Sequence, residues 1–158
     1  MNTIMEDYYP LFRLYQDLRA QLLAILTDED LAFTIQGNES LGALCVRIGE
    51  VQQDYINSFR DLSLEFTAKA ADDNLSTSVL ALKNWYDGLD AALETVIAGF
   101  KDSDLASQEI DRGGGFVVPI HINLDIYKEA LIIFCGKARV YLNAMGKPLP
   151  EQWLHWIE

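Results

Sequence analysis

The side chains best able to do chemistry in this sequence are few and scattered: His121, His155, Cys45, Cys135, Arg47, and two carboxylate pairs, Glu50 with Asp54 and Asp125 with Glu129. Carboxylates at i and i+4 share one face of a helix, an arrangement used by di-metal bundles. That chemistry also needs Glu-x-x-His pairs, and no Glu here is followed by His three residues later. These acids therefore read as a solvated face. A zinc site of three histidines cannot be assembled from one copy of a chain that has two. Gly113-Gly114-Gly115 lacks a following Gly-Lys-Ser/Thr and reads as a flexible connection, not a phosphate cradle. No Gly-x-Ser-x-Gly elbow is present, and neither cysteine has a histidine nearby in sequence.

His121, in Pro119-Ile120-His121-Ile122-Asn123, has Asp125 as its nearest acid and reads as a structural or exposed histidine. His155 belongs to a terminal packing segment, Trp153-Leu154-His155-Trp156. Arg47 is more informative, because an unpaired charge inside a bundle costs several kcal/mol, roughly 3–5 when a partner is removed. Glu50 is three residues away, and Asp125 or Glu129 can approach from another helix. Two readings follow: an arginine that holds a carboxylate or phosphate ligand, or one whose head reaches solvent or a structural ion pair. The second is favoured.

The composition narrows the field further. The chain has 158 residues, 24 acidic against 12 basic side chains and a net charge of -12, with half its residues apolar. One domain spanning 1–158 is expected. The charge excludes nucleic acid and anionic membranes as primary partners, since both require a positive footprint. The longest apolar run, Ala130 to Cys135, is too short to cross a bilayer. The N-terminus shows no basic and apolar signal pattern, and the two isolated cysteines suit buried free thiols, so a cytoplasmic location is expected.

Four segments carry helical periodicity. The first opens at Pro10 and places Leu11, Leu14, Leu18, Leu22 and Ile25 on one face, ending at Thr27 before a polar connection. The second has Ser40 as N-cap and Leu41, Leu44, Ile48, Val51 (or Gln52), Tyr55 and Phe59 inward. After a loose stretch from Asp61 to Asn74, the third carries Val79, Leu82, Tyr86, Leu89, Leu93, Val96 and Phe100, with Gly88 as a weak point. An irregular segment from Lys101 to Pro119 includes the β-prone Phe116-Val117-Val118. The fourth helix runs from His121 or Asn123 to Met145. Its all-apolar centre from Ala130 to Cys135 predicts the most buried helix, and Gly146, Pro148 and Pro150 stop it. The fold class is all-α, a four-helix bundle. Trp153, Trp156 and Ile157 supply an aromatic tail that caps the bundle or meets a second subunit.

In this setting Leu26-Thr27-Asp28-Glu29-Asp30-Leu31 after helix one, Ser40-Leu41-Gly42 leading to Arg47-Ile48-Gly49-Glu50, and Gly136 to Leu142 followed by Met145-Gly146 and Leu149-Pro150 resemble the DinB-like superfamily. That group includes the YfiT-type metal-dependent hydrolases and thiol-dependent transferases. The resemblance covers nearly the whole chain in order and spacing. It implies a metal site of one histidine on the second long helix and an H-x-x-x-H pair on the fourth. Carried over, those places fall on Arg47, Ala130 and Phe134 (or Ile133 if the register slips by one), none of which is a neutral nitrogen donor. The resemblance also implies a homodimer.

The expectation is a bundle without metal or other cofactor that binds a small anionic ligand or a protein. Its candidate pocket comprises Arg47, Glu50, Ala130, Phe134 and His121. The alternative is a metal-dependent hydrolase or thiol transferase with a relocated site using His121, Glu50 and Glu129.

Overall fold

The computed structural model describes residues 1–157. A π-type turn, Ile4–Tyr8, runs into α1 (Tyr9–Ile25), so the first helix begins before Pro10. Buried Asn2 explains the early start. Its amide donates to the carbonyls of Ile97 and Phe100 at 2.8 and 2.9 Å, and its oxygen accepts from the Met5 N–H. The buried residues of α1 are Tyr9, Phe12, Gln16, Leu18, Arg19, Leu22 and Leu23, so Leu18 and Leu22 face inward as expected, while Leu11 and Leu14 are 52% and 39% exposed. An apolar count places those two leucines inside because it skips Gln16 and Arg19, the polar members of the true stripe.

The polar connection after α1 contains a short helix, α2 (Asp28–Leu31), started by a reciprocal cap between Thr27 and Asp30. Next comes α3 (Leu41–Asp61), where the Ser40 hydroxyl accepts from the Ala43 N–H at 3.1 Å. Gln52, not Val51, is its fully buried member. α4 (Val79–Ala98), opened by a Ser78 cap, lies against α3. A closely packed seam joins them: a side chain at Gly49 would place its Cβ 2.3 Å from the Trp85 ring.

Beyond a short α5 (Asp102–Ser107) the irregular segment is an antiparallel hairpin, β1 (Glu109–Asp111) with β2 (Val117–Pro119). Gly113, Gly114 and Gly115 turn it at φ of +83°, +62° and +82°, values that glycine alone takes cheaply. The triplet is thus a hairpin turn. Ile110 and Val118 go inward, and Asp111 exchanges backbone hydrogen bonds with Leu62 and Leu64. Arg112 donates to Asn123 and to the Tyr55 hydroxyl, closing that end of the bundle.

α6 (Ile120–Ala144) packs on both α1 and α3. Its centre is not buried all round: Ile133 is 59% exposed and Ile132 37%. A helix flanked by two neighbours keeps an outer face in solvent whatever residues it carries there. The most buried helix is α3, with twelve buried residues out of 21. After Gly146, α7 (Glu151–Trp156) inserts Trp153, fully buried, whose indole N–H donates to the Leu18 carbonyl at 3.1 Å. Trp156 stacks at a tilt on Tyr15. Four long helices make an all-α bundle, and among the described residues no helix is long and apolar enough to cross a membrane.

Candidate functional site

The α3 and α6 ridges face one another along a groove of about 180 Å³. From α3 come Leu44, Ile48 and Val51 at i, i+4 and i+7, and from α6 Ala130, Ile133 and Phe134 at i, i+3 and i+4, spacings that hold a single helical face. The small Ala130 leaves the space that the larger side chains enclose. Two cations stand at the mouth, Arg47 one turn before Val51 and Lys137 one turn after Phe134. The Arg47 guanidinium turns outward to the Glu39 carboxylate at 2.5 Å, with 61% of its side chain exposed. Lys137 has no carboxylate within ion-pair distance among the described residues. The groove is therefore an apolar slot with one committed and one free positive charge, and it contains no His, Cys, Asp or Glu.

Of the five residues expected to form a pocket, Arg47, Ala130 and Phe134 line this groove together. Glu50 and His121 do not. Glu50 sits on the flank of α3, accepting from the Ala70 N–H at 3.1 Å and from Lys69. Asp54 one turn on is 4% exposed and accepts from the N–H groups of Thr67 and Ala68. This pair is not a solvated face. The carboxylates anchor the stretch after α3, whose backbone donors have no helical partners.

His121 opens a separate cleft of about 440 Å³ beside Tyr8, Asp102 and Asp125. Both acids are committed. Asp102 accepts from the N–H and hydroxyl of Thr3, each at 2.9 Å, and Asp125 accepts from Tyr8 and Lys128. Partial burial works against a charged Asp125, but the Lys128 ammonium and the Tyr8 hydroxyl outweigh it and hold the carboxyl below its usual range. Burial and the Asp125 carboxylate push the Tyr8 phenol up to about 12. Glu129 is exposed and takes no part. Among the described residues no three His, Cys, Asp or Glu side chains converge.

The depressed Asp125 has a consequence for pH. A carboxyl with a lower folded than unfolded pKa stabilises the fold above its unfolded value and loses that contribution as pH falls through the folded one. Asp30, with Lys147 and Thr27 overcoming its own desolvation, behaves alike. Stability is expected to be level above pH ~5 and to fall below the ordinary Asp value of 3.8, as urea midpoints measured from pH 7 to pH 2 would show. Lys128→Met should flatten part of that slope.

Cys45 and Cys135 are both fully buried, and burial pushes each thiol up to about 12. Neither supplies a thiolate nucleophile at neutral pH. In a thiol-reagent titration both should be silent in the folded protein and react together on unfolding. Reaction of either at the native rate of a free thiol would contradict that burial.

A polar cluster in the core escaped the sequence reading. Arg19 (α1), Gln52 (α3) and Asp90 (α4) meet there, with Gln16 and Tyr86 at their side. Its signal was present: Gln16 and Arg19 occupy inward places on the α1 stripe, as Gln52 does on α3.

No family model and no curated protein sequence matches the chain. Solved structures do. A DinB-like protein from Bacillus cereus superposes with a TM-score of 0.75 at 22% identity, over 95% of this chain and 98% of that one. A second DinB-like protein, from Bacillus subtilis, gives 0.67 at 16% identity over 88% and 92%. A mycothiol-dependent maleylpyruvate isomerase gives 0.66 at 16% identity over 85% of this chain, which spans 62% of the isomerase. At these identities the likeness establishes the fold.

Proposed function

We propose that this chain, a bundle of the DinB-like fold, is a ligand-binding protein whose α3/α6 groove takes a small amphipathic carboxylate without a metal ion. The observation that carries the reading is the lining: six apolar side chains on two facing ridges, with Arg47 and the unpaired Lys137 at the mouth. An apolar slot with few placed polar groups is the usual form of a small-molecule site, and an ammonium at its edge meets a carboxylate head. The residues at the places the resemblance assigns to histidines, Arg47, Ala130 and Phe134, do not fit a metal ion. Two lack any donor atom, and a guanidinium has no lone pair to give.

Calorimetric titration with hexanoate tests this. Saturable binding is expected in the native protein, and Lys137→Glu should weaken it at least about ten-fold, roughly 1.4 kcal/mol. Unchanged affinity in that variant, or stoichiometric zinc kept through dialysis, would overturn the proposal.

A second reading is a metal-dependent hydrolase or thiol transferase centred on His121. It is supported by the cleft His121 shares with Asp102 and Asp125 and by the thiol dependence of the isomerase of like fold. It expects His121→Ala to abolish a metal-stimulated activity, and the committed carboxylates weigh against it. For the interaction side of the proposal, exposed Ile132 and Val140 on α6, neither of them lining the groove, support a homodimer. Light scattering should read a dimer that Val140→Glu converts to a monomer; a monomeric native protein would remove it.

A further inference from the structure

Between α1 and α4, away from the α3/α6 groove, lies a more enclosed cleft of about 170 Å³. Its base is polar and rigidly made. Asp90 Oδ1 accepts three hydrogen bonds from three side chains: Gln16 Nε2 at 2.9 Å, Arg19 Nη2 at 2.6 Å and Gln52 Nε2 at 2.7 Å. Arg19 is 1% exposed, donates its other terminal nitrogen to Gln52 at 2.6 Å, and lies flat over the Tyr86 ring at 3.8 Å. Asp90 Oδ2 takes part in none of these bonds, and the side chain is 32% exposed to the cleft it lines. Oδ1 is held by these three donors, which leaves Oδ2 as the oxygen available to the cleft that Asp90 lines.

The walls around that oxygen are apolar. Ala20 and Ala24, one turn apart on α1, leave the opening, and Leu23 and Val79 form one end. At the rim Lys83 and Asp87 pair with each other at 2.6 Å in solvent. The Arg19 guanidinium also lines the cleft but is 1% exposed and bonded to Oδ1, so the more exposed Asp90 carboxylate is the charge that a guest meets. A cation or strong hydrogen-bond donor is the complement of such a charge. The protein's net charge of -12 also raises the local concentration of cations over anions. A volume below the several hundred Å³ of drug-sized sites limits the guest to a few heavy atoms.

We infer that the α1/α4 cleft is a binding site for a small primary alkylammonium, its ammonium on Asp90 Oδ2 and its alkyl chain running along Ala20 towards Leu23. The Arg19–Gln52–Gln16 network is the device that holds the acceptor still, which removes an ordering cost from binding.

Titration of the ¹⁵N-labelled protein with n-butylammonium chloride, followed by amide NMR, tests this. Saturable shifts confined to Ala20, Ala24, Lys83 and Asp90 are expected, and sodium butyrate should leave those amides still. Asp90→Asn should weaken binding at least ten-fold. Because that change also touches the buried arginine, Ala20→Leu provides the independent arm: it fills the opening from an exposed position, leaves the network intact and should abolish the shifts. Shifts that never saturate, that butyrate reproduces, or that persist in Ala20→Leu would overturn the assignment.

Discussion

Asp90→Ala is expected to lower the free energy of unfolding by about 3 kcal/mol, although Asp90 itself is one-third exposed. The loss arises in its partner. Arg19 sits 1% exposed among four helices, and Asp90 is its ion-pair partner. Removing the carboxylate leaves an uncompensated charge in the core and strips an acceptor from Gln16 and Gln52, each worth about 1 kcal/mol. Arg19→Met should cost much less, because the charge it abandons, Asp90, can turn to water, and methionine fills a similar volume with no desolvation penalty. The double variant should then lose much less than the sum of the two single losses, because no charge is left unpaired. Urea midpoints for the four proteins would establish the cycle. An Asp90→Ala loss below 1 kcal/mol, or strict additivity, would show that Arg19 finds other compensation.

Gly42→Ala is expected to cost about 3 kcal/mol, the upper end for overpacking. A Cβ there would stand 2.0 Å from the Ser76 carbonyl oxygen, 2.9 Å from its carbon and 3.1 Å from the Leu31 carbonyl oxygen. All three are backbone atoms, from two segments that cross the start of α3, so no rotamer change relieves the contact. Gly136→Ala in α6 provides the opposite case. Nothing lies within 4 Å of its new Cβ, and alanine in a helix gains about 0.5–1 kcal/mol over glycine. At about 2–4 °C per kcal/mol for a chain of this size, thermal melts should separate the two variants by roughly 10 °C in opposite directions from the parent. A Gly42→Ala protein melting with the parent would mean that the crossing opens freely.

Much of the bundle could be read in advance because its cues are local. Ser40 caps α3 as its sequence position suggests, and Gly146 ends the last long helix in the left-handed region. Where the reading failed, the deciding interaction was distant. Leu11 and Leu14 face solvent because Gln16 and Arg19 hold the inward places, and a buried arginine becomes legible only with Asp90, 71 residues away. Glu50 and Asp54 looked like an acidic face, since nothing nearby in sequence announces that residues 67–70 return to them. The site divides the same way. Arg47, Ala130 and Phe134 line one groove, whereas His121 belongs to another cleft at the start of α6. Lys137, the free cation of the groove, lies in the Gly136 to Leu142 segment, whose resemblance gives it no role; its place at the groove follows from Phe134 one turn before it.

The α3/α6 groove is proposed to hold an organic anion and not a metal ion. A crystal grown with hexanoate and zinc chloride in equal excess tests it most directly. The carboxylate is expected within ion-pair distance of Lys137, the alkyl chain over Ala130 and Phe134, and no anomalous zinc signal between α3 and α6. Zinc in that groove, with the fatty acid absent, would contradict it.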